Sequence, residues 1–277
     1  MAAGEIGVGV AQFAPTADRG ANLAAIRRLA ERAVERGADL VVLPEYSSYF
    51  AVPPGPVFAE HAEAVDGPFT AALGSIGADL GVVLVAGLVE AVEAVEGAEA
   101  KVANTLVAVD GDRVLATYRK QHLYDAFGGG ESKWLAAGPL EEPQLFDVGG
   151  IRVGMQTCYD IRFPEVTRRL AVAGAELVLV PAEWVRGPLK EQHWRTLLAA
   201  RAIENTVYVA GADHAPPIGV GASAIVDPMG VTLAGLGEQE DVAVAAVSAA
   251  RIAEVRRVNP SLALRRYDVV PRRSPRD

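Results

Sequence analysis

The chain has 277 residues, 51% hydrophobic and 22% charged, with a formal net charge of −9. That composition supplies ample core for one large or two small domains. The acidic balance disfavours nucleic acid or an anionic membrane as the main partner, because phosphate recognition needs a basic surface. Basic residues do gather late in the chain, at Arg256, Arg257, Arg265, Arg266, Arg272, Arg273 and Arg276. Acidic residues are interspersed, so this stretch is expected to be solvated or to contact a partner subunit. Residues 1–5 lack the basic region of a secretory leader, and no apolar run approaches the roughly 20 residues of a membrane helix. A single cysteine, Cys158, cannot form an intrachain disulfide. Together these features fit a cytoplasmic protein.

In chain order, 6–13 is predicted as a strand. An amphipathic helix follows over 22–36, with Leu23, Ile26, Ala30 and Ala33 on one stripe and Gly37 after its end. A short strand, 38–43, ends at Pro44-Glu45, then come a helix over 68–80 and a strand over 82–89. A hairpin is predicted from 104–109 and 113–118 about an Asp-Gly-Asp turn. The loop Gly128-Gly129-Gly130 leads into Glu131. The second half repeats the order. A strand-like run over 151–160 contains Cys158, and helix 165–173 stops at Gly174. Strand 175–180 ends at Pro181. Helix 192–205, strand 207–211 and a hairpin from 223–226 and 231–234 complete it.

The repetition extends to the residues. Gly37-Ala-Asp-Leu-Val-Val-Leu-Pro44 resembles Gly174-Ala-Glu-Leu-Val-Leu-Val-Pro181, and Leu84-Val-Ala-Gly87 resembles Tyr208-Val-Ala-Gly211. Two similar half-chains sharing a core predict a two-sheet sandwich with helices outside. No Pro/Ser-rich linker divides them, so one domain is expected, with a core over about 6–250. Residues 251–277 are expected to form an extension against a partner subunit.

Three strand ends carry polar groups: Glu45, Lys120 and Cys158. In open α/β architectures, functional groups collect beyond the carboxyl ends of strands. A carboxylate can take the proton of a thiol, an ammonium favours the thiolate, and the same ammonium can hold an oxyanion. Cys158 could also be core filler, as buried cysteines often are. The histidines His61, His122, His193 and His214 offer a rival Cys–His pairing but no protease signature. Among them, His122 lies nearest to Lys120 in sequence and is read either as touching substrate or as a structural hydrogen-bonder. No HExxH, paired-His or CxxC spacing appears, nor a phosphate-loop or dinucleotide fingerprint. Neither a metal nor another cofactor is expected.

These motifs resemble the nitrilase superfamily of carbon–nitrogen hydrolases. Leu43-Pro44-Glu45, Tyr118-Arg-Lys-Gln-His122 and Gln156-Thr-Cys-Tyr-Asp-Ile-Arg-Phe-Pro-Glu165 are similar to its three motif blocks. The run from His193 to Val209 is similar to its amidase branch, and the likeness extends from about residue 8 to 268. The resemblance implies an αββα sandwich, assembly into dimers or multiples of dimers, and a Glu–Lys–Cys triad at Glu45, Lys120 and Cys158. It also implies a second glutamate at Glu131.

Cys158-Tyr159-Asp160 resembles the ω-amidase and deaminated-glutathione amidase group rather than the Cys-Trp-Glu of true nitrilases. That implies hydrolysis of a terminal carboxamide on a small carboxylate-bearing substrate such as 2-oxoglutaramate. The chain departs from the group at Ala182-Glu183-Trp184-Val185-Arg186, where Gly- or Ser-Ala-Phe is usual. Tyr159, Arg162, Glu183, Trp184 and Arg186 are therefore candidate substrate contacts, with Arg162 alternatively an ion-pair partner of Asp160 or Glu165. Tyr124, Phe127 and Trp134 either shape the pocket or pack the Gly-rich loop, and Trp194 is read as core or subunit contact. An N-carbamoyl or aliphatic amidase, an acyltransferase and a non-catalytic binding homologue remain alternative readings.

Overall fold

The computed structural model describes residues 4–92 and 101–272. Arg273, Arg276 and the first three residues fall outside it. Strand β1 (Glu5–Gln12) is followed by helix α1 (Arg19–Glu35), β2 (Leu40–Val42), α2 (Pro68–Leu80), β3 (Val83–Ala91), β4 (Val102–Asp110) and β5 (Arg113–Arg119). A short β6 (Phe146–Val148) opens the second half, then β7 (Ile151–Met155), α3 (Pro164–Val172), β8 (Leu177–Ala182), α4 (Lys190–Asn205), β9 (Tyr208–Asp213), β10 (Ala224–Val226) and β11 (Thr232–Gly235). Strand β12 (Asp241–Ser248) and helix α5 (Ala249–Val258) follow.

The strands form two six-stranded sheets, ordered β12-β1-β2-β3-β4-β5 and β11-β10-β9-β8-β7-β6. In each sheet three parallel strands are flanked by an antiparallel edge strand on one side and a hairpin on the other. The expected half-chain repeat is therefore present. Parallel strands covered on both faces read as unbroken apolar runs, and β2 shows why. Leu40 and Val42 enter the core between the sheets with Val8, Val10, Met155, Leu177 and Leu179. Val41 faces the other way, toward Ile26, Leu29, Phe69 and Leu73 of α1 and α2. On the second sheet, Leu170, Trp194 and Leu198 of α3 and α4 cover Val178, Val180 and Val209. The layers run α-β-β-α. Each fully buried aliphatic side chain contributes about 1.5–3 kcal/mol.

Local chemistry sets the boundaries. Helix α1 starts three residues before the expected position because the Asp18 side chain accepts from Ala21 N at 3.0 Å, a cap that satisfies an orphan donor. The expected boundary at residue 250 does not hold. Helix α5 crosses it, and Ile252 is part of the core between the sheets. Trp194 is fully buried in its own chain, against Trp184, so it is core. Among the described residues, no helix is long and apolar enough to cross a membrane.

Candidate active site

Glu45 lies three residues beyond β2, and the chain there is pressed against β3. A Cβ on Gly87 would stand 2.3 Å from Tyr46 N and 2.8 Å from Glu45 Cα, so only glycine permits that approach. The Glu45 carboxylate is almost completely buried. It accepts from Lys120 Nζ at 3.0 Å, Asn104 Nδ2 at 2.5 Å and the Glu183 backbone N–H at 2.6 Å. Burial raises its pKa and Lys120 opposes that rise, leaving Glu45 above the ordinary 4.5. That direction makes it a better proton acceptor near neutrality.

Lys120 follows β5 directly and is 1% exposed. Its ammonium bridges Glu45 and Glu131, at 3.0 and 2.8 Å. Burial pulls its pKa down, but Glu131, Glu45 and Cys158 outweigh this and hold it well above the usual lysine value. Glu131 also accepts from Tyr46 Oη at 3.0 Å and Tyr124 N at 2.7 Å. It is thus the group that orients the ammonium and fixes the Gly-rich loop.

Strand β7 ends three residues before Cys158, which opens a one-turn 3-10 helix at a φ of 42°. Such a left-handed backbone is costly for a non-glycine residue and recurs where a side chain must be presented from a sharp turn. Asp160 holds the turn. Its buried carboxylate accepts from Tyr118 Oη at 2.8 Å, His122 N at 2.8 Å and His122 Nδ1 at 2.7 Å. The segment bearing Lys120 is thereby tied to the segment bearing Cys158. The thiol lies 3.5 Å from the Glu183 carbonyl oxygen. Burial pushes the thiol pKa well above its ordinary value; Glu45 adds to this and Lys120 opposes it. The resting cysteine is a thiol, and it needs a base to become a nucleophile.

The cleft at Cys158 is narrow and is also lined by Lys120, Glu131, Tyr159, Arg162, Glu183 and Trp184. Larger surface grooves lie elsewhere and lack the thiol. Arg162 pairs with neither Asp160 nor Glu165. Its guanidinium lies 4.7 Å from the Trp184 ring centroid, and its buried Nε has no acceptor among the described residues. Beside it sits Lys190, which sequence reasoning missed. Lys190 donates to Tyr124 Oη at 2.9 Å and lies 4.4 Å from the Phe127 ring centroid. Burial, with Arg162 adding to it, lowers the Lys190 pKa. Two cations on an aromatic floor form a ready anion site.

Two expected contacts do not reach this cleft. Arg186 turns to the surface, where it pairs with Glu238 at 2.7 Å, because only its backbone N–H is held inward, on Ile218 O. His122 lies outside the lining: Asp160 captures its Nδ1 and Phe163 stacks on its ring at 3.7 Å. Trp134 packs on Phe58 and Tyr46 rather than lining the cleft, whereas Tyr124 does line it. Among the described residues, no group of three or more His, Cys, Asp or Glu side chains is arranged to hold a metal ion.

His214, beyond β9, braces Glu45. Its Nε2–H donates to the Glu45 carbonyl at 2.6 Å, and burial lowers its pKa from 6.5 to about 4. The unfolded chain therefore binds a proton at a pH where the folded one does not. The stability this group supplies is complete above pH 6.5 and is lost as pH falls toward 4, a change of about 3 kcal/mol. Urea unfolding at pH 7 and at pH 4 checks this. The wild-type protein should lose about 3 kcal/mol more than His214→Gln, which keeps a donor but does not titrate.

Comparison with known proteins places this frame in the nitrilase superfamily. A variant of the Nesterenkonia AN1 amidase, described as from that superfamily, superposes with a TM-score of 0.76 at 30% identity, covering 94% of this chain and 97% of that one. The chain belongs to the carbon–nitrogen hydrolase family, whose sequence profile matches residues 7–257. The deaminated glutathione amidase of Escherichia coli O157:H7 is 46% identical over 164 residues, 59% of this chain and 62% of that relative. The match thus spans just under two thirds of that relative's length. Omega-amidase NIT2 of Xenopus tropicalis is 32% identical over 270 residues, 93% of this chain and 94% of that protein. One structure of the Nesterenkonia amidase shows covalent addition of the acetamide moiety of fluoroacetamide at its active-site cysteine. The protein is an amidase of the nitrilase superfamily.

Proposed function

We propose that the protein hydrolyses the terminal carboxamide of a small, carboxylate-bearing substrate of the 2-oxoglutaramate type, releasing ammonia through a thioester on Cys158. The observation that carries this reading is the cleft's polarity. The thiol and the buried Lys120 ammonium, itself paired with Glu45, line the same cleft as Lys190 and Arg162, whose Nε has no acceptor among the described residues. The names of the omega-amidase and deaminated glutathione amidase relatives support the same substrate class.

Glu45 takes the proton of Cys158, and the thiolate attacks the amide carbonyl. Lys120 Nζ and the Tyr159 backbone N–H stabilise the oxyanion. Glu45 passes the proton to the departing nitrogen, which leaves as ammonia, and the acyl group remains on sulfur. Glu45 then takes a proton from water, the hydroxide attacks the thioester, and the acid leaves as the thiol regains its proton. Glu131 keeps Lys120 charged and aimed throughout. Arg162 and Lys190 hold the far carboxylate, and Trp184 and Tyr159 wall the acyl chain.

Ammonia release from a panel of 2-oxoglutaramate, an N-carbamoyl amino acid and a simple aliphatic amide tests the reading, with mass spectrometry of the Cys158 adduct alongside. Turnover of the first compound with a thioester on Cys158 is expected; an adduct with none of the three would overturn it. Arg162→Lys should raise the KM for 2-oxoglutaramate about tenfold with a smaller change in kcat, because lysine cannot form the guanidinium's bidentate contact. Homodimeric assembly, with residues 259–272 at the interface, is part of the same proposal. Tyr267 and Val270 there are largely exposed, and a single monomeric mass in solution would remove it.

A further inference from the structure

One group in the cleft has no work in the scheme above. Glu183 follows β8 directly, one residue beyond the position that corresponds to Glu45 in the other half of the chain. Its backbone is fully used: its N–H holds Glu45 and its carbonyl faces the thiol. Its side chain lines the cleft, yet the carboxyl Oε1 is buried without a hydrogen-bond partner among the described residues.

The charge balance favours the protonated form of this carboxyl. Three carboxyls, Glu45, Glu131 and Glu183, share the enclosure with one fully buried ammonium, Lys120. That ammonium bonds to the first two and not to the third. Lys190 donates to Tyr124 and not to Glu183. Burial, with Glu45 adding to it, pushes the Glu183 pKa well above the ordinary 4.5. Both effects favour the protonated carboxylic acid, which can donate an O–H where an ionised glutamate can only accept. A buried polar atom left unpaired is costly, and a ligand acceptor facing it would relieve that cost.

We propose that Glu183 is a specificity residue that donates a hydrogen bond to an uncharged oxygen on the acyl chain, between the reacting carbonyl and the carboxylate held by Arg162 and Lys190. The site then selects oxo-acid amides over amino-acid amides, whose ammonium at the same carbon would meet a donor and two cations. This rests on the amidase reading above and adds the substituent that is read.

The test uses three terminal amides that share the carboxylate and differ at the neighbouring carbon: 2-oxoglutaramate (oxo), glutamine (ammonium) and glutaramate (unsubstituted). The measured quantity is the ratio of kcat/KM values in wild type, Glu183→Gln and Glu183→Ala. Wild type should favour the oxo compound over glutaramate by about tenfold. Glu183→Gln, which keeps a donor, should stay within about threefold of that ratio, and Glu183→Ala should bring it near one. The wild-type ratio should also fall as pH rises and Glu183 ionises, while that of Glu183→Gln stays flat. That readout holds even if the alanine variant fails to fold. An alanine variant with the wild-type ratio overturns the proposal, as does a pH-independent wild-type ratio or a wild-type preference for glutamine that Glu183→Gln abolishes. If wild type cleaves none of the three, the amidase reading has failed and this one with it. If it cleaves them without distinction, only the role of Glu183 has failed.

Discussion

Cys158→Ala is expected to lower turnover by at least about 10⁴-fold, since no thioester can form and only binding and the oxyanion donors remain. The variant should fold normally. The substitution removes one sulfur from a site that is 7% exposed, and alanine tolerates the same left-handed backbone about as well as cysteine does. Unfolding curves that overlay within about 1 kcal/mol, beside lost ammonia release, are the expected pair of results. Retention of most activity would mean that the thiol is packing rather than chemistry, and a histidine-based scheme would have to be sought.

Lys120→Met makes the opposite separation, because it should damage both activity and fold. It deletes the proposed oxyanion donor, a kind of group worth about 10²–10³-fold, and the cation that opposes the rise in the thiol's pKa. It also leaves Glu45 and Glu131 as buried neighbours without their shared counter-charge. Breaking such a pair by removing one member costs about 3–5 kcal/mol. The pH dependence identifies the cause. Without Lys120, the rise that burial imposes on Glu45 is no longer opposed, so its folded pKa should stand further above its unfolded one. The folded state is then favoured below the unfolded pKa and loses that advantage as pH rises through the folded one. Denaturant midpoints for Lys120→Met should therefore decline from pH 5 to pH 8 relative to wild type. A parallel loss at all pH values would show that the lysine's packing, not its charge, was missed.

The elements that were legible in the sequence are those whose evidence is local. Helix α2 was predicted at its observed limits because Pro68 opens it and Gly81 ends it. The hairpin of β4 and β5 announced itself through Asp110-Gly111-Asp112. Strand β12 and helix α5 were missed, since β12 owes its conformation to a partner more than 200 residues away. The site divides in the same way. Glu45, Lys120, Glu131 and Cys158 stood beside recognisable motifs, and their positions converge. Asn104 and Tyr46 carried no such signal. Asn104 lies within a predicted strand, and only the packed strands bring it to Glu45. Lys190 stands at a helix start that had been drawn two residues later. Arg186 was placed in the cleft by its nearness to Trp184 in sequence, but the strand-end turn sends its side chain outward to Glu238.

The pairing of β1 with β12 joins the first strand of the described residues to the last. During synthesis, β1 emerges early, and the strand that covers its outer edge emerges some 230 residues later. At about 5–20 residues per second, that interval lasts roughly 10–50 seconds. Until it ends, the growing chain carries an open, apolar sheet edge, the feature through which unfinished proteins adhere to one another. Production of this protein should accordingly depend on holdase chaperones more than its finished stability would suggest. Truncation before residue 241 should yield aggregate rather than a smaller enzyme.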